Sequence, residues 1–80
     1  MTTTLDRVCT IAAREFVVER TSLTAATEAS DVKGWDSASH LVLMMAIEEE
    51  FDVSFELDEV VEMTSIGKIA EALDAKAASR

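Results

Sequence analysis

The stretch Gly34-Trp35-Asp36-Ser37-Ala38-Ser39-His40 decides how this chain is read. A polar segment ends there and a strongly apolar helical run, Leu41 to Ile47, begins. Asp36 is the expected N-cap, because its carboxylate can accept backbone N–H bonds of the first turn. Ser37 then opens the helix, with its hydroxyl exposed at the N-terminus. One face of this helix is an inward stripe of Leu43, Met44, Ile47 and Phe51, joined by His40 or Leu41. The opposite stripe, Ala38, Val42, Met45 and Glu49, is apolar for two turns and only then acidic. A helix apolar on both faces is either fully buried or has a partner. Full burial is hard to arrange in a chain of 80 residues, so the outer stripe reads as a partner face.

Upstream, Thr3 or Thr4 can cap a first helix, with Asp6 in its first turn. Leu5, Val8, Cys9, Ala12 and Phe16 follow at helical spacing, Ile11 and Val17 widen that face, and the helix is expected from about Thr4 to Val18. Arg20 to Asp36 has no sustained period and reads as a long loop pinned by Leu23, Val32 and Trp35, with a short helical turn possible over Ala25-Ala26-Thr27-Glu28. Loops of that length in small domains are often functional. Downstream, Asp52 to Glu56 breaks the helical pattern and reads as a loop. Leu57 to Met63 follows as a short helix with Leu57, Val60, Val61 and Met63 as its apolar set. Thr64 or Ser65 then caps a last helix carrying Ile66, Ile69, Ala70, Leu73 and Ala77 inward, with Lys76 and Arg80 near the negative end of its dipole. Gly67, in its first turn, costs roughly 1 kcal/mol against alanine. The expected architecture is all-α: a small four-helix bundle of long helix, long loop, helix, short helix and helix, in a single domain over residues 1–80.

Composition agrees. There is no proline, there are only two glycines, and helix formers abound. The single cysteine, Cys9, has no internal disulfide partner and falls on the inward stripe. The N-terminus lacks the basic flank and apolar core of a signal peptide. The seven-residue run Leu41–Ile47 is far short of a membrane span, so a cytoplasmic monomer is expected. The net charge is −9, and it is segregated. Between Gly34 and Gly67 lie nine acids and no Lys or Arg, while the rest of the chain is neutral. Such a field repels nucleic acid and anionic membranes and speeds encounter with basic protein surfaces.

Enzyme signatures are absent. A Ser-His-Asp arrangement would need Ser37 or Ser39 beside the lone His40 on one helix, with no oxyanion hole or pocket evident. One Cys and one His do not make a zinc site, and Glu48, Glu49 and Glu50 fan around a helix instead of converging on an ion. No catalytic or metal-ligating residue is assigned. Met44 and Met45 point in different directions, one to the core and one outward. Trp35 is expected to pack under the loop.

The motif and its setting resemble the acyl carrier proteins, which carry a Gly-x-Asp-Ser-Leu sequence. Gly34-Trp35-Asp36-Ser37-Ala38 matches it, Met45-Ala46-Ile47-Glu48-Glu49-Glu50-Phe51 resembles the family's acidic second helix, and Val60 to Leu73 its third helix and the start of its fourth. The resemblance implies that Ser37 receives 4′-phosphopantetheine from coenzyme A through a phosphopantetheinyl transferase. It also implies that Asp36 helps place the metal used by that transferase. The arm would hold acyl groups as thioesters for enzymes of fatty acid, polyketide or related biosynthesis that present basic docking patches. It implies docking through Ala38, Val42, Met45, Glu48, Glu49 and Glu56, and shelter for an acyl chain near Leu43, Ile47, Phe55, Val60 and Met63. Two residues depart from the family pattern. Ala38 stands where leucine or isoleucine is usual, and Val42 where many fatty-acid carriers have glutamate. With Trp35 and His40, they look more like stand-alone carriers of specialised pathways. An aminoacyl or peptidyl carrier, and an unmodified helical adaptor that has lost the arm, are the alternatives.

Overall fold

In the computed structural model, which describes residues 3–78, helix α1 spans Thr4–Phe16, α2 Ser37–Phe51, α3 Leu57–Glu62 and α4 Ile66–Ala78. Single 3-10 turns at Arg20–Ser22 and Ala29–Asp31 punctuate the long loop between α1 and α2. Arg80 lies outside the described residues. Each long helix starts on the kind of cap its sequence promised. Thr3 accepts the backbone N–H of Asp6 at 3.1 Å, and the Asp6 carboxylate returns the bond to the Thr3 N–H at 3.3 Å. Those Thr3 bonds, with Arg20 2.7 Å away, hold the Asp6 carboxyl below the usual carboxylate range. Asp36 caps α2 through the Ser39 N–H, and Ser65, not Thr64, caps α4 through the Lys68 N–H.

The core is one cluster. Val8, Cys9, Ile11 and Ala12 of α1 meet Leu43, Met44 and Ile47 of α2 and Ile66, Ile69, Ala70 and Leu73 of α4, closed by Val60 and Met63. Helix α1 packs against both α2 and α4, and the Thr4 hydroxyl donates to Asp74 on α4 at 2.7 Å. Ala77, expected inward, is exposed. Two cations from the neutral part of the chain reach into the acidic part. Arg7 lies 3.9 Å from Glu50 and over the Phe51 ring, and Lys76 lies 3.6 Å from Glu59 and over the Phe55 ring. Exposed pairs of this kind contribute roughly 0.2–1 kcal/mol each.

Other expectations change as well. Helix α1 ends at Phe16, because Val17 turns into the left-handed region (φ 54°) and caps the helix with its N–H on the Ala13 carbonyl. Its side chain, expected inward, is 89 % exposed. The segment 25–28 forms no helical turn, because its carbonyls bond to the start of α4 instead. The Ile66 N–H donates to Thr27 O and the Gly67 N–H to Ala25 O, both at 2.9 Å, while the Ala29 N–H donates to Thr64 O at 2.8 Å. Beside these bonds a lone antiparallel bridge pairs Glu28 with Ser65. Gly67 is the residue that permits this approach: a Cβ there would sit 2.7 Å from Ala25 O. Finally, the apolar set of α3 divides. Val60 and Met63 are buried, whereas Leu57 and Val61 are 71 % and 64 % exposed.

Two stability predictions follow from these contacts. Gly67→Ala should lower the thermal midpoint, although alanine gains roughly 1 kcal/mol of helix propensity, because the methyl group forces the Ala25 carbonyl away and breaks its bond; a raised midpoint would refute this. Val17→Gly should raise the midpoint by about 2–5 °C. It relieves roughly 1–2 kcal/mol of left-handed strain, offset in part by glycine's greater unfolded freedom.

Candidate functional site

The site is built where the pinned loop runs into α2. Gly34 takes φ +93°, a turn that side chains resist, and Trp35 follows with its N–H on Val32 O at 3.1 Å. This turn delivers Asp36 as the cap. One carboxylate oxygen accepts the Ser39 N–H at 2.9 Å, and that bond, first among its causes, lowers the Asp36 carboxyl below its ordinary range. Ser37 is the first residue of α2 and is exposed. Its hydroxyl thus stands at the positive end of a fifteen-residue helix dipole, a position that suits a negatively charged substituent.

The loop is fixed beneath the motif by a stack of rings. Trp35 is buried and stacks on Phe16 of α1 at 5.3 Å between centroids and on His40 of α2 at 5.9 Å. The Trp35 Nε1–H donates to His40 Nδ1 at 2.9 Å. An indole nitrogen is only a donor, so Nδ1 is unprotonated and the imidazole proton sits on Nε2. That Nε2–H donates to the Val60 carbonyl of α3 at 2.8 Å. With both ring nitrogens engaged, His40 holds no free lone pair with which to take a proton from Ser37. Among the described residues, no group of three His, Cys, Asp or Glu side chains is placed to bind a metal.

Beside Ser37 a cleft of about 480 Å³ opens between α2 and α3. Trp35, His40 and Leu41 line one side, Leu57, Val60 and Val61 the other, and Asp36 and Ser37 also border it. Of the residues expected to shelter a chain, only Val60 lines this cleft. Leu43, Ile47 and Met63 are sealed in the core, and Phe55 is half-buried in the loop before α3, beneath Lys76. Leu57 and Val61, four residues apart and exposed, line the cleft as well; the sequence reading grouped them with Val60 and Met63 as one apolar set and did not single them out for the site. Their spacing on one face of so short a helix is compatible with either side, and only the packing of α3 decides.

Among the residues expected to dock a partner, Ala38, Val42, Met45, Glu49 and Glu56 are exposed, with Met45 at 66 %. Glu48 is half-buried and accepts the Phe55 N–H at 2.8 Å, so it anchors the loop before α3. Met44 is buried, so the two adjacent methionines do separate into core and surface. Among the described residues no helix is long and apolar enough to cross a membrane.

Comparison with known proteins agrees with this geometry. A family model described as the phosphopantetheine attachment site matches residues 6–73. The chain is 30 % identical over 70 residues to acyl carrier protein AcpXL of Rhizobium etli, covering 88 % of this chain and 76 % of that one. Its fold is similar to the solution structure of holo acyl carrier protein from Geobacter metallireducens, with a TM-score of 0.83 and 33 % identity over 95 % of this chain and 87 % of the other. The chain belongs to the phosphopantetheine-attachment family of carrier proteins, with phosphopantetheine as its prosthetic group.

Proposed function

We propose that Ser37 is the attachment residue, and that the chain carries acyl groups on its arm between partner enzymes. The observation that carries this reading is the exposed Ser37 hydroxyl at the start of α2, bordering an open cleft. These residues fit the group. A phosphodiester on Ser37 Oγ would meet the N-terminal dipole of α2, and the space beside it is open to a flexible arm. Once attached, the arm supplies a terminal thiol that holds acyl groups as thioesters and presents them at high effective concentration. The protein's own residues then act as mount and guide. Asp36 and Gly34 shape the turn, Trp35 and His40 fix it to the bundle, and the cleft offers an apolar wall. That wall favours acyl over aminoacyl cargo, because the ring nitrogens of His40 and Trp35 are already bonded to one another and to Val60. The partners are a phosphopantetheinyl transferase and enzymes of acyl metabolism.

Partners dock on the outer face of α2, through Ala38, Val42 and Met45, with Glu49 and Glu56 at its edge. Glu48 supports the face by holding the following loop. A matching surface pairs an apolar socket with a rim of Lys and Arg. The apolar part confers affinity and the charges confer encounter rate and salt sensitivity.

Two measurements test this. Incubated with coenzyme A, magnesium and a broad-specificity phosphopantetheinyl transferase, the protein should gain the mass of one arm, and Ser37→Ala should gain none. A wild-type chain left unmodified by a transferase that loads a control carrier would identify a helical adaptor. Met45→Lys should retain the fold, measured by circular dichroism, and lower kcat/KM for arm transfer roughly tenfold, the scale of losing one well-packed interface anchor. The wild-type rate should fall as salt rises. Rates indifferent to both changes would remove α2 as the docking face.

A further inference from the structure

The cleft beside Ser37 stops at His40. Along α2 the residues on that face are His40, then Leu43 and Met44, then Ile47, one turn apart. His40 lines the cleft. Leu43, Met44 and Ile47 do not, and all three are buried in the core. The imidazole therefore stands between the open space and the apolar interior.

It is also held there from both sides. Trp35 of the loop donates to Nδ1, and Nε2–H donates to Val60 O of α3. Val60 O accepts the Met63 N–H as well, at 3.2 Å, so His40 serves as a second cap on the C-terminal end of a six-residue helix. Another polar tie on α3 is the Glu59–Lys76 pair, which is partly exposed and weak for that reason. The His40–Val60 bond is part-buried, and both of its partners line the cleft.

We propose that His40 is a positioning residue that limits how long a cargo chain this carrier shelters. The inference rests on the reading of Ser37 as attachment point. A short acyl group fits between Leu41, Leu57 and Val61 with the latch closed. A longer one reaches the imidazole and advances only by displacing the bond to Val60. An apolar chain offers no replacement partner, so the imidazole N–H is left unsatisfied, while Val60 O keeps only the Met63 N–H. Sheltering therefore rises with chain length up to the latch and then stops.

The test uses the protein loaded through its arm with acetyl, butyryl, octanoyl or dodecanoyl groups. In the unloaded protein, nitrogen NMR of the imidazole should show the Nε2–H tautomer, with a Trp35 indole proton slow to exchange. The Nδ1–H tautomer would overturn the latch. In the loaded series, cleavage of the cargo by hydroxylamine should slow with chain length in the wild type and then level off. In His40→Ala the plateau should move to longer chains, with dodecanoyl cleaved about three- to tenfold more slowly than in the wild type, the scale of one hydrogen bond, and acetyl unchanged. His40→Gln keeps a side-chain N–H for Val60 O and should restore the wild-type profile. Coincident profiles for wild type and His40→Ala overturn the latch and leave the attachment reading intact. Absence of any loading overturns the attachment reading, and the latch with it. If His40→Ala does not fold, the wild-type spectra decide: the His40 and Trp35 signals must move on dodecanoyl loading and stay on acetyl loading, and signals indifferent to chain length overturn the proposal.

Discussion

Three main-chain hydrogen bonds between the long loop and the start of α4 hold this protein in its functional shape. Ala25 O, Thr27 O and the Ala29 N–H bond to Gly67, Ile66 and Thr64. Without them, residues 17–36 would be attached by a few apolar side chains, the Arg20–Asp6 pair and the Trp35–His40 bond, and ordering the backbone costs about 1–2 kcal/mol per residue. The same bonds satisfy N–H groups that every helix leaves unpaired in its first turn. One arrangement thus answers two needs, and it requires the absence of a side chain at Gly67.

From that seam the order passes to the site through rings. Leu23 and Trp35 are the buried anchors of the loop, and Trp35 lies between Phe16 and His40. The motif residues are consequently tied to α1, α2 and α3 together, while Ser37 remains in solvent. Helix α3 is the shortest of the four α-helices. It is six residues long, has exposed Leu57 and Val61, and ends on a carbonyl shared with His40.

Much of this was legible in the residues. Caps at Thr3, Asp36 and Ser65 are local, with the acceptor and its N–H within three residues, so short-range chemistry determines them. The stripes of α1, α2 and α4 have enough turns for periodicity to speak, and Met44 and Met45 separated as helical geometry demands. The misreadings arise where periodicity alone does not decide. Val17 carried the right spacing but met the end of the helix. Leu57 and Val61 are apolar in a helix of under two turns, where period cannot tell inside from outside. Gly67 read as a weak helix residue because the carbonyl that needs its space lies more than forty residues earlier. Glu48 read as a surface charge because the Phe55 N–H it accepts lies beyond the end of its own helix.

The lone thiol of the chain has a consequence of its own. Cys9 is on the buried face of α1, its Sγ 3.8 Å from Leu23 O, and burial pushes its thiol to a higher pKa. Thiolates, not thiols, attack activated acyl carbons and disulfides. A molecule whose prosthetic arm ends in a thiol therefore keeps its own thiol locked away, so that freight does not migrate onto the scaffold and the scaffold does not cross-link to its own tether.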